Sequence, residues 1–332
     1  MLKEMKMAKY VVIGAGTIGS LVAEELAQLG HQITLGSRHG NGPQQFEIEK
    51  VRVDATDEAS ILRLVKGANA VINCANPPYH RWITDWPPIA NSLLHAAKSS
   101  GASLVTLGNL YPYGLVDGPI TPQHPLNATY AKAQVRSQMW SDALNAHEAG
   151  YLRATELRAS DYIGPNAHSL FGTRTVKRLV QGKTCWFIGN VDLPHSWTYV
   201  GDVAKAIAVA VQSESAWGRA WHVPTNPPRT MRQVANDLAD AGGLPRTKIA
   251  TLPRSIIYGA GIFSPLIREL PKTLYQFTHT FVIDDSETRR TFNLEPTQWS
   301  VVLNATLVSI DKALSKNVRE SGDSSRHRNN YH

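Results

Sequence analysis

Between Tyr10 and Gly30 the chain reads YVVIGAGTIGSLVAEELAQLG. An apolar run leads into glycines spaced G-x-G-x-x-G, and apolar residues at helical intervals follow. The run before Gly14 predicts a buried strand, and the stretch after Gly19 predicts a helix that ends at Gly30. Gly14 permits the turn, Gly16 lets a pyrophosphate approach bare main chain, and Gly19 lets helix and strand pack closely. The first helical turn, Thr17, Ile18 and Gly19, offers N–H groups and the positive end of the helix dipole to a phosphate. Strand, turn, helix and second strand stand in the order a dinucleotide-binding fingerprint requires.

The alternation continues. HQITLGSR, EIEKVRVDATD, NAVINCA, ASLVTLGN and YLRATELRAS read as strands. DEASILRLVKGA, ITDWPPIANSLLHAAKSSG and the stretch from about Tyr130 to Ala149 read as helices, the second entered through Pro87-Pro88. This order predicts an α/β protein of Rossmann type, a doubly wound parallel sheet with helices on both faces and its ligand at the carboxyl ends of the strands.

After Gly164 the regular alternation stops, and a smaller, mostly helical C-terminal substrate domain is expected. SLFGTRTVKRLVQGK, TYVGDVAKAIAVAVQS (capped by Asp202) and TMRQVANDLADAGG read as helices, and CWFIGN and AWHVPTN as strands. The apolar stretch PRSIIYGAGIFSPLIRELPKTLYQF would line a substrate cleft or an oligomer surface. The expected division is a cofactor domain over 1–163 with 197–213 returning to it, an interleaved substrate domain over 164–312, and a disordered tail over 313–332.

The end of the second strand selects the nucleotide. Leu35-Gly36-Ser37-Arg38-His39 holds no carboxylate for a ribose 2′-hydroxyl, whereas Ser37 and Arg38 suit a 2′-phosphate. NADP is therefore the expected cofactor, with NAD possible. After the third strand, Asp54 and Ala55 are placed to meet the adenine, although Asp54 also reads as the cap of the next helix. Ala75 and Asn76, after the fourth strand, complete the expected cofactor contacts.

Composition narrows the partners. The 332 residues carry a net charge of +7, partly in the tail SKNVRESGDSSRHRNNYH. Basic residues form no continuous helical stripe and do not interleave with aromatics, so no nucleic-acid partner is expected. A basic body suits a phosphorylated cofactor or an anionic substrate. No apolar run is long enough to span a bilayer, and the first residues lack the apolar stretch of a signal peptide, which predicts a cytoplasmic protein without a membrane partner. Cys74 and Cys185 have neither metal spacing nor a disulfide framework and read as buried reduced thiols; no metal is expected.

Further segments carry a resemblance. YPYG (Tyr111 to Gly114), LRASDYIGPN (Leu157 to Asn166), HSWTYVGDVAKAI (His195 to Ile207) and VIDDSETRRTFNLEPT (Val282 to Thr297) resemble segments of the extended, or atypical, short-chain dehydrogenases/reductases, the NAD-dependent epimerase/dehydratase-like proteins. The resemblance runs to about Trp299. It implies the fold above, hydride transfer at the nicotinamide C4 and a homodimer through the long helices. The usual G-x-x-G-x-x-G is altered, since Ile13 stands three before Gly16. The family's Tyr-x-x-x-Lys is also broken. Lys132 matches its lysine, a ribose-binding residue, but Ala128 stands four positions earlier and Asn109 takes the Ser/Thr place. Tyr130 is only two residues from Lys132, and on one helix such residues point in different directions.

Replacement proton donors are Tyr111, Tyr113, Tyr130 and Tyr162, with the Asn109 amide able to hold a carbonyl oxygen. His195 and His168 are further acid–base candidates, although a histidine among aromatics more often serves structure. Arg174, Lys177 and Arg178 would suit a diphosphate; Trp186, Trp197, Trp217 and Trp221 would suit an aromatic substrate. The expected function is an NADP(H)-dependent oxidoreductase acting on a carbonyl or alcohol group of a small-molecule metabolite. The alternatives are a catalytically silent NADP(H)-binding sensor and a sugar-nucleotide-type epimerase.

Overall fold

The structure, a computed structural model, describes residues 7–167, 169–253 and 272–309. In chain order the first half comprises β1 (Lys9–Ile13), α1 (Thr17–Gln28), β2 (Gln32–Ser37), β3 (Ile48–Arg52), α2 (Glu58–Val65), β4 (Ala70–Asn73), α3 (Trp82–Ser100), β5 (Ser103–Asn109), α4 (Ala131–Glu148) and β6 (Ala154–Ala159). There follow β7 (Asp161–Ile163), α5 (Thr173–Val180), β8 (Cys185–Phe187), β9 (Trp197–Tyr199), α6 (Val200–Ala210), β10 (Arg219–His222), α7 (Met231–Ala241) and β11 (Ile249–Thr251). Short helices α8 (Tyr275–Thr278) and α9 (Ser286–Phe292) and a last helix over 299–309 complete the described chain.

Seven strands form one parallel sheet in the order β3-β2-β1-β4-β5-β6-β10. The order reverses between β1 and β4, which creates the crevice where ligands of such sheets bind. Both faces are covered, so the inner strands are apolar throughout rather than alternating. Val22 and Leu26 of α1 and Val203 and Ile207 of α6 seal one face. Ile61 of α2, Trp86 and Leu93 of α3 and Ala143 of α4 seal the other. A separate core gathers Phe171, Val176, Leu179, Phe187, Trp197, Val234, Leu238 and Phe277. Around it lie two small parallel pairs, β11 with β8 and β7 with β9.

Several expectations change in detail. The third helix starts at Trp82, so Pro87 and Pro88 lie inside it rather than at its entrance. Buried Trp82 and Trp86 anchor its first turns, and the Trp82 indole donates to the Pro77 carbonyl at 3.0 Å. Asp57, not Asp54, caps α2, accepting from the Ser60 amide at 3.1 Å. Tyr199 holds the cap position of α6, while the buried Asp202 carboxylate accepts from the Thr297 amide at 2.9 Å and its hydroxyl at 2.5 Å. The segment returning to the first sheet runs beyond 213, because β10 pairs with β6 as the edge strand. His168, residues 254–271 of the apolar stretch and the tail over 313–332 lie outside the described residues.

Candidate functional site

Packing requires Gly14 and Gly19 of the opening loop but not Gly16. Gly14 has φ of +108°, and a Cβ there would lie 2.5 Å from the Cys74 carbonyl oxygen. On Gly19 a Cβ would strike the Gly14 carbonyl oxygen at 1.7 Å. Both positions are closed by the protein's own backbone, which presses the loop against the end of β4 and Ala75. At Gly16 a Cβ would meet nothing within 4 Å. This glycine is exposed, caps α1 without a side-chain bond and leaves the first-turn N–H groups to an outside partner. Ile18 contributes only its N–H there, since its side chain is buried in the core. Thr17 ties the loop to the segment after β7, its hydroxyl donating to the Asn166 carbonyl at 3.0 Å.

At the end of β2, Arg38 is exposed and Ser37 half-buried, and Ser37 pairs with Arg52 in the sheet register. The Ser37 hydroxyl meets the Asn41 side-chain oxygen at 3.2 Å. Arg52 was not singled out by its sequence; parallel pairing brings this second guanidinium-bearing residue to the same sheet edge. Asp54 is exposed and accepts from the Thr56 amide and hydroxyl, both at 2.9 Å, in a local turn. Asn76 is exposed and Ala55 half-buried.

Beyond β5 an aromatic cleft gathers. Asn109 folds its amide oxygen onto the Tyr111 N–H at 3.2 Å, so its NH2 remains as a donor. The Tyr111 ring lies 6.3 Å from Tyr79, 5.7 Å from Trp82 and 6.3 Å from Tyr130. Tyr130 is the extended cap of α4, with φ −81° and ψ 142°, so the objection based on helical spacing from Lys132 does not apply. Lys132 is nonetheless 2% exposed, and its ammonium sits 3.7 Å from the centre of the Tyr79 ring. Arg136, one turn on, lies over Trp86 and donates to the Leu107 carbonyl at 2.5 Å. Burial, reinforced by neighbouring phenols, holds Tyr111 and Tyr130 above the ordinary phenol range, and burial does the same to Tyr162 and Tyr275. Charge from Asp161 adds to the rise at Tyr111, Tyr162 and Tyr275.

Tyr113 leaves the list of donors, because its hydroxyl is committed to a buried chain. Glu156 Oε2 accepts from Arg158 Nε at 2.6 Å, and Arg158 Nη1 donates to the Tyr113 oxygen at 2.6 Å. The Tyr113 hydroxyl reaches His222 Nε2 at 3.0 Å, and His222 Nδ1 reaches the Asp284 carbonyl at 3.0 Å. Burial holds His222 neutral, with its pKa lowered to about 3. The chain fixes Tyr113, which shares a short turn with Tyr111.

The tryptophans do not assemble a pocket. Trp197 and Trp221 are buried in separate cores, Trp217 stacks under Arg153, and Trp186 is exposed. Arg178 closes its own helix on the Thr184 carbonyl at 2.8 Å, and Arg174 is exposed. Among the described residues no His, Cys, Asp or Glu group is arranged to hold a metal ion, and no helix is long and apolar enough to cross a membrane.

A sequence model of the NAD dependent epimerase/dehydratase family matches residues 10–223. The chain belongs to the NAD-dependent epimerase/dehydratase family. No curated protein sequence matches it. Solved structures share the family fold. The Bordetella bronchiseptica enzyme WbmH, crystallised with NAD+, is 20% identical with a TM-score of 0.71, covering 92% of this chain and 99% of that one. dTDP-glucose 4,6-dehydratase from Bacillus anthracis, in complex with NAD, is 16% identical with a TM-score of 0.74 over 92% and 97% of the two chains. UDP-glucose 4-epimerase from Thermotoga maritima, with UDP-glucose, is 17% identical with a TM-score of 0.75 over 92% and 99%. Within this family member, sequence reasoning missed Tyr79, Trp82 and Tyr275 as neighbours of the site. Their meeting depends on segments distant in the chain.

Proposed function

We propose that the protein is an NADP(H)-dependent oxidoreductase acting on a carbonyl or alcohol group of a small metabolite. The observation that carries this reading is the open space at Gly16 beside an uncapped helix terminus, with Ser37 and exposed Arg38 at the end of β2 in place of a carboxylate. The N–H groups of Thr17, Ile18 and Gly19 hold the pyrophosphate, and Ser37 and Arg38 take the 2′-phosphate. Asp54, Ala55, Ala75 and Asn76 border the adenosine half, and Lys132 serves the nicotinamide ribose. The bound dinucleotide supplies hydride chemistry at its C4. Asn109 offers its NH2 to the substrate oxygen, and the protonated Tyr111 and Tyr130 hydroxyls orient it.

The same reading divides the chain into a cofactor part over 1–163, with its returning segment, and a substrate part over 164–312. It makes the protein a cytoplasmic homodimer. A second reading, a sugar-nucleotide epimerase that uses its dinucleotide transiently, is supported by the dehydratase and epimerase among the structural relatives. Calorimetric titration with NADPH and NADH, followed by absorbance of the reduced nicotinamide against carbonyl and alcohol panels, separates the readings. Tighter NADPH binding and net turnover support the first. Equal affinities, or isomerisation of a sugar nucleotide without net reduction, overturn it.

A further inference from the structure

Strands β1, β2 and β3 lie side by side at one end of the sheet. A ligand whose phosphates rest on the N-terminus of α1 therefore extends outward over the end of β2 and then of β3. The register says which side chains stand there. Ser37, the last residue of β2, pairs with Arg52, the last residue of β3. Paired residues of neighbouring strands point to the same face, their strands about 4.8 Å apart. That face is the one covered by α1. Leu35 and Ile48, two and four residues earlier on the two strands, are buried in the same core as Val22 and Leu26 of α1. The opposite face is closed, since a Cβ on Gly36 would lie 2.8 Å from Val53 and 2.9 Å from Ile13. Arg52 thus stands beside Ser37 on the side of the sheet that carries α1 and its glycine loop.

The groups around Arg52 fix it there without neutralising it. The Ser37 carbonyl accepts from the Val53 amide at 2.9 Å and from the Gly40 amide at 3.3 Å. A Cβ on Gly40 would lie 3.3 Å from the Arg52 nitrogen, so the turn after β2 runs against the Arg52 backbone. Lys50, two residues earlier on the same face, commits its ammonium to that turn, donating to the Pro43 carbonyl at 3.2 Å and the Gln44 side-chain oxygen at 3.3 Å. Neighbouring carboxylates are engaged elsewhere. Glu49 accepts from the Thr34 hydroxyl at 2.7 Å on the other face, and Asp54 accepts from the Thr56 amide and hydroxyl. Arg38 and Arg52 are both exposed, and neither forms an ion pair or side-chain hydrogen bond with a described residue. Two guanidiniums, charged at every working pH, therefore stand at adjacent strand ends with the Ser37 hydroxyl beside them. They repel each other until an anion joins them.

We propose that Arg52 is a specificity-determining residue for the cofactor: with Arg38 it grips a phosphate monoester on the adenosine ribose. The inference rests on the NADP(H) reading of this strand end and deepens it. A plain ribose ends in a 2′-hydroxyl, which Ser37 alone can meet and which gives a second cation nothing to bind. A phosphate monoester reaches one strand further, with two negative charges and three acceptor oxygens. Arg52 on the edge strand answers that extra group, and Arg38 and Ser37 hold its near side.

Calorimetric titration of the full chain with NADPH, NADH, 2′-AMP and 5′-AMP tests the assignment without any turnover. Arg52→Ser should melt with the wild type and lose about tenfold in affinity for NADPH and for 2′-AMP, the lower range for a charge-assisted hydrogen bond. Its affinities for NADH and 5′-AMP should stay within about twofold of the wild type, since neither carries the phosphate that Arg52 meets. Arg52→Lys keeps the charge without the fork and should recover part of the loss. The double variant Arg38→Ser, Arg52→Ser should bind NADPH no better than NADH. Wild-type NADPH affinity in Arg52→Ser, or equal losses for NADPH and NADH, overturns the role of Arg52 while a wild-type preference for NADPH leaves the cofactor reading standing. A wild-type protein that binds NADPH no tighter than NADH defeats the cofactor reading and this assignment together.

Discussion

A Cβ on Gly19 would lie 1.7 Å from the carbonyl oxygen of Gly14, whereas a Cβ on Gly16 would meet nothing within 4 Å. The two glycines therefore separate folding from binding. Gly19→Ala must push α1 off the loop, and overpacking of that kind costs about 1–3 kcal/mol or more. Its melting temperature should fall by several degrees. Gly16→Ala keeps an ordinary extended cap conformation and should melt close to the wild type, yet its affinity for NADPH should drop at least tenfold. Equal loss of melting temperature in both variants would contradict the distinction.

Arg38 is exposed at the end of β2. If its guanidinium holds a 2′-phosphate, Arg38→Asp both removes a charge-assisted bond and adds repulsion. NADPH affinity should fall about 100-fold, or ~2.7 kcal/mol. NADH affinity should hold or improve, since a carboxylate at this strand end suits a ribose 2′-hydroxyl. Calorimetry with both nucleotides reads the difference; parallel losses for the two would count against a 2′-phosphate site.

The His222 imidazole sits between the Tyr113 hydroxyl and the Asp284 carbonyl with its pKa lowered to about 3. Its unfolded value lies near 6.5. Below that pH the unfolded chain takes up a proton that the folded protein refuses. Stability from this residue is thus complete above pH ~6.5 and drains away as pH falls toward 3, at about 1.4 kcal/mol per unit. Urea midpoints at about pH 7 and pH 5 should therefore fall more steeply for the wild type than for His222→Asn, whose side chain does not titrate. Identical slopes would show that His222 is accessible to protons in the fold.

Cys74 packs behind the glycine loop, and burial pushes its thiol up to about 12; Cys185 is raised as well. Thiolate is the reactive form, so neither cysteine should react with a disulfide reagent in the native protein at about pH 8, and both should react once the chain is unfolded. Rapid native labelling would mean that the end of β4 opens.

Local pattern carried much of this protein. The apolar runs, their spacing and the glycines between β1 and α1 were enough to predict the parallel sheet and its ligand end, because each depends on residues close in sequence. The segments resembling the epimerase/dehydratase proteins extended that prediction into the second half. Details governed by distant partners were less legible. Pro87 and Pro88 read as a helix entrance, but Trp82 and Trp86 found buried seats that pulled the helix start forward. Asp202 read as a cap until Thr297, from the far end of the chain, supplied its partners. Tyr113 read as a proton donor, while Arg158 and His222 from β6 and β10 had already claimed its hydroxyl.

The sequence by itself determined the order of strands and helices, the dinucleotide loop and the absence of a carboxylate beside Arg38, since these follow from residue type and short-range spacing. Only the tertiary structure decided which side chains share a cleft. Asp161 and His195 are separated by a helix and a strand in the chain, and a hydrogen bond of 2.8 Å joins them because β7 and β9 pair side by side. Proton chemistry depends on such contacts and on the burial around them, and neither burial nor contact is written in the local sequence.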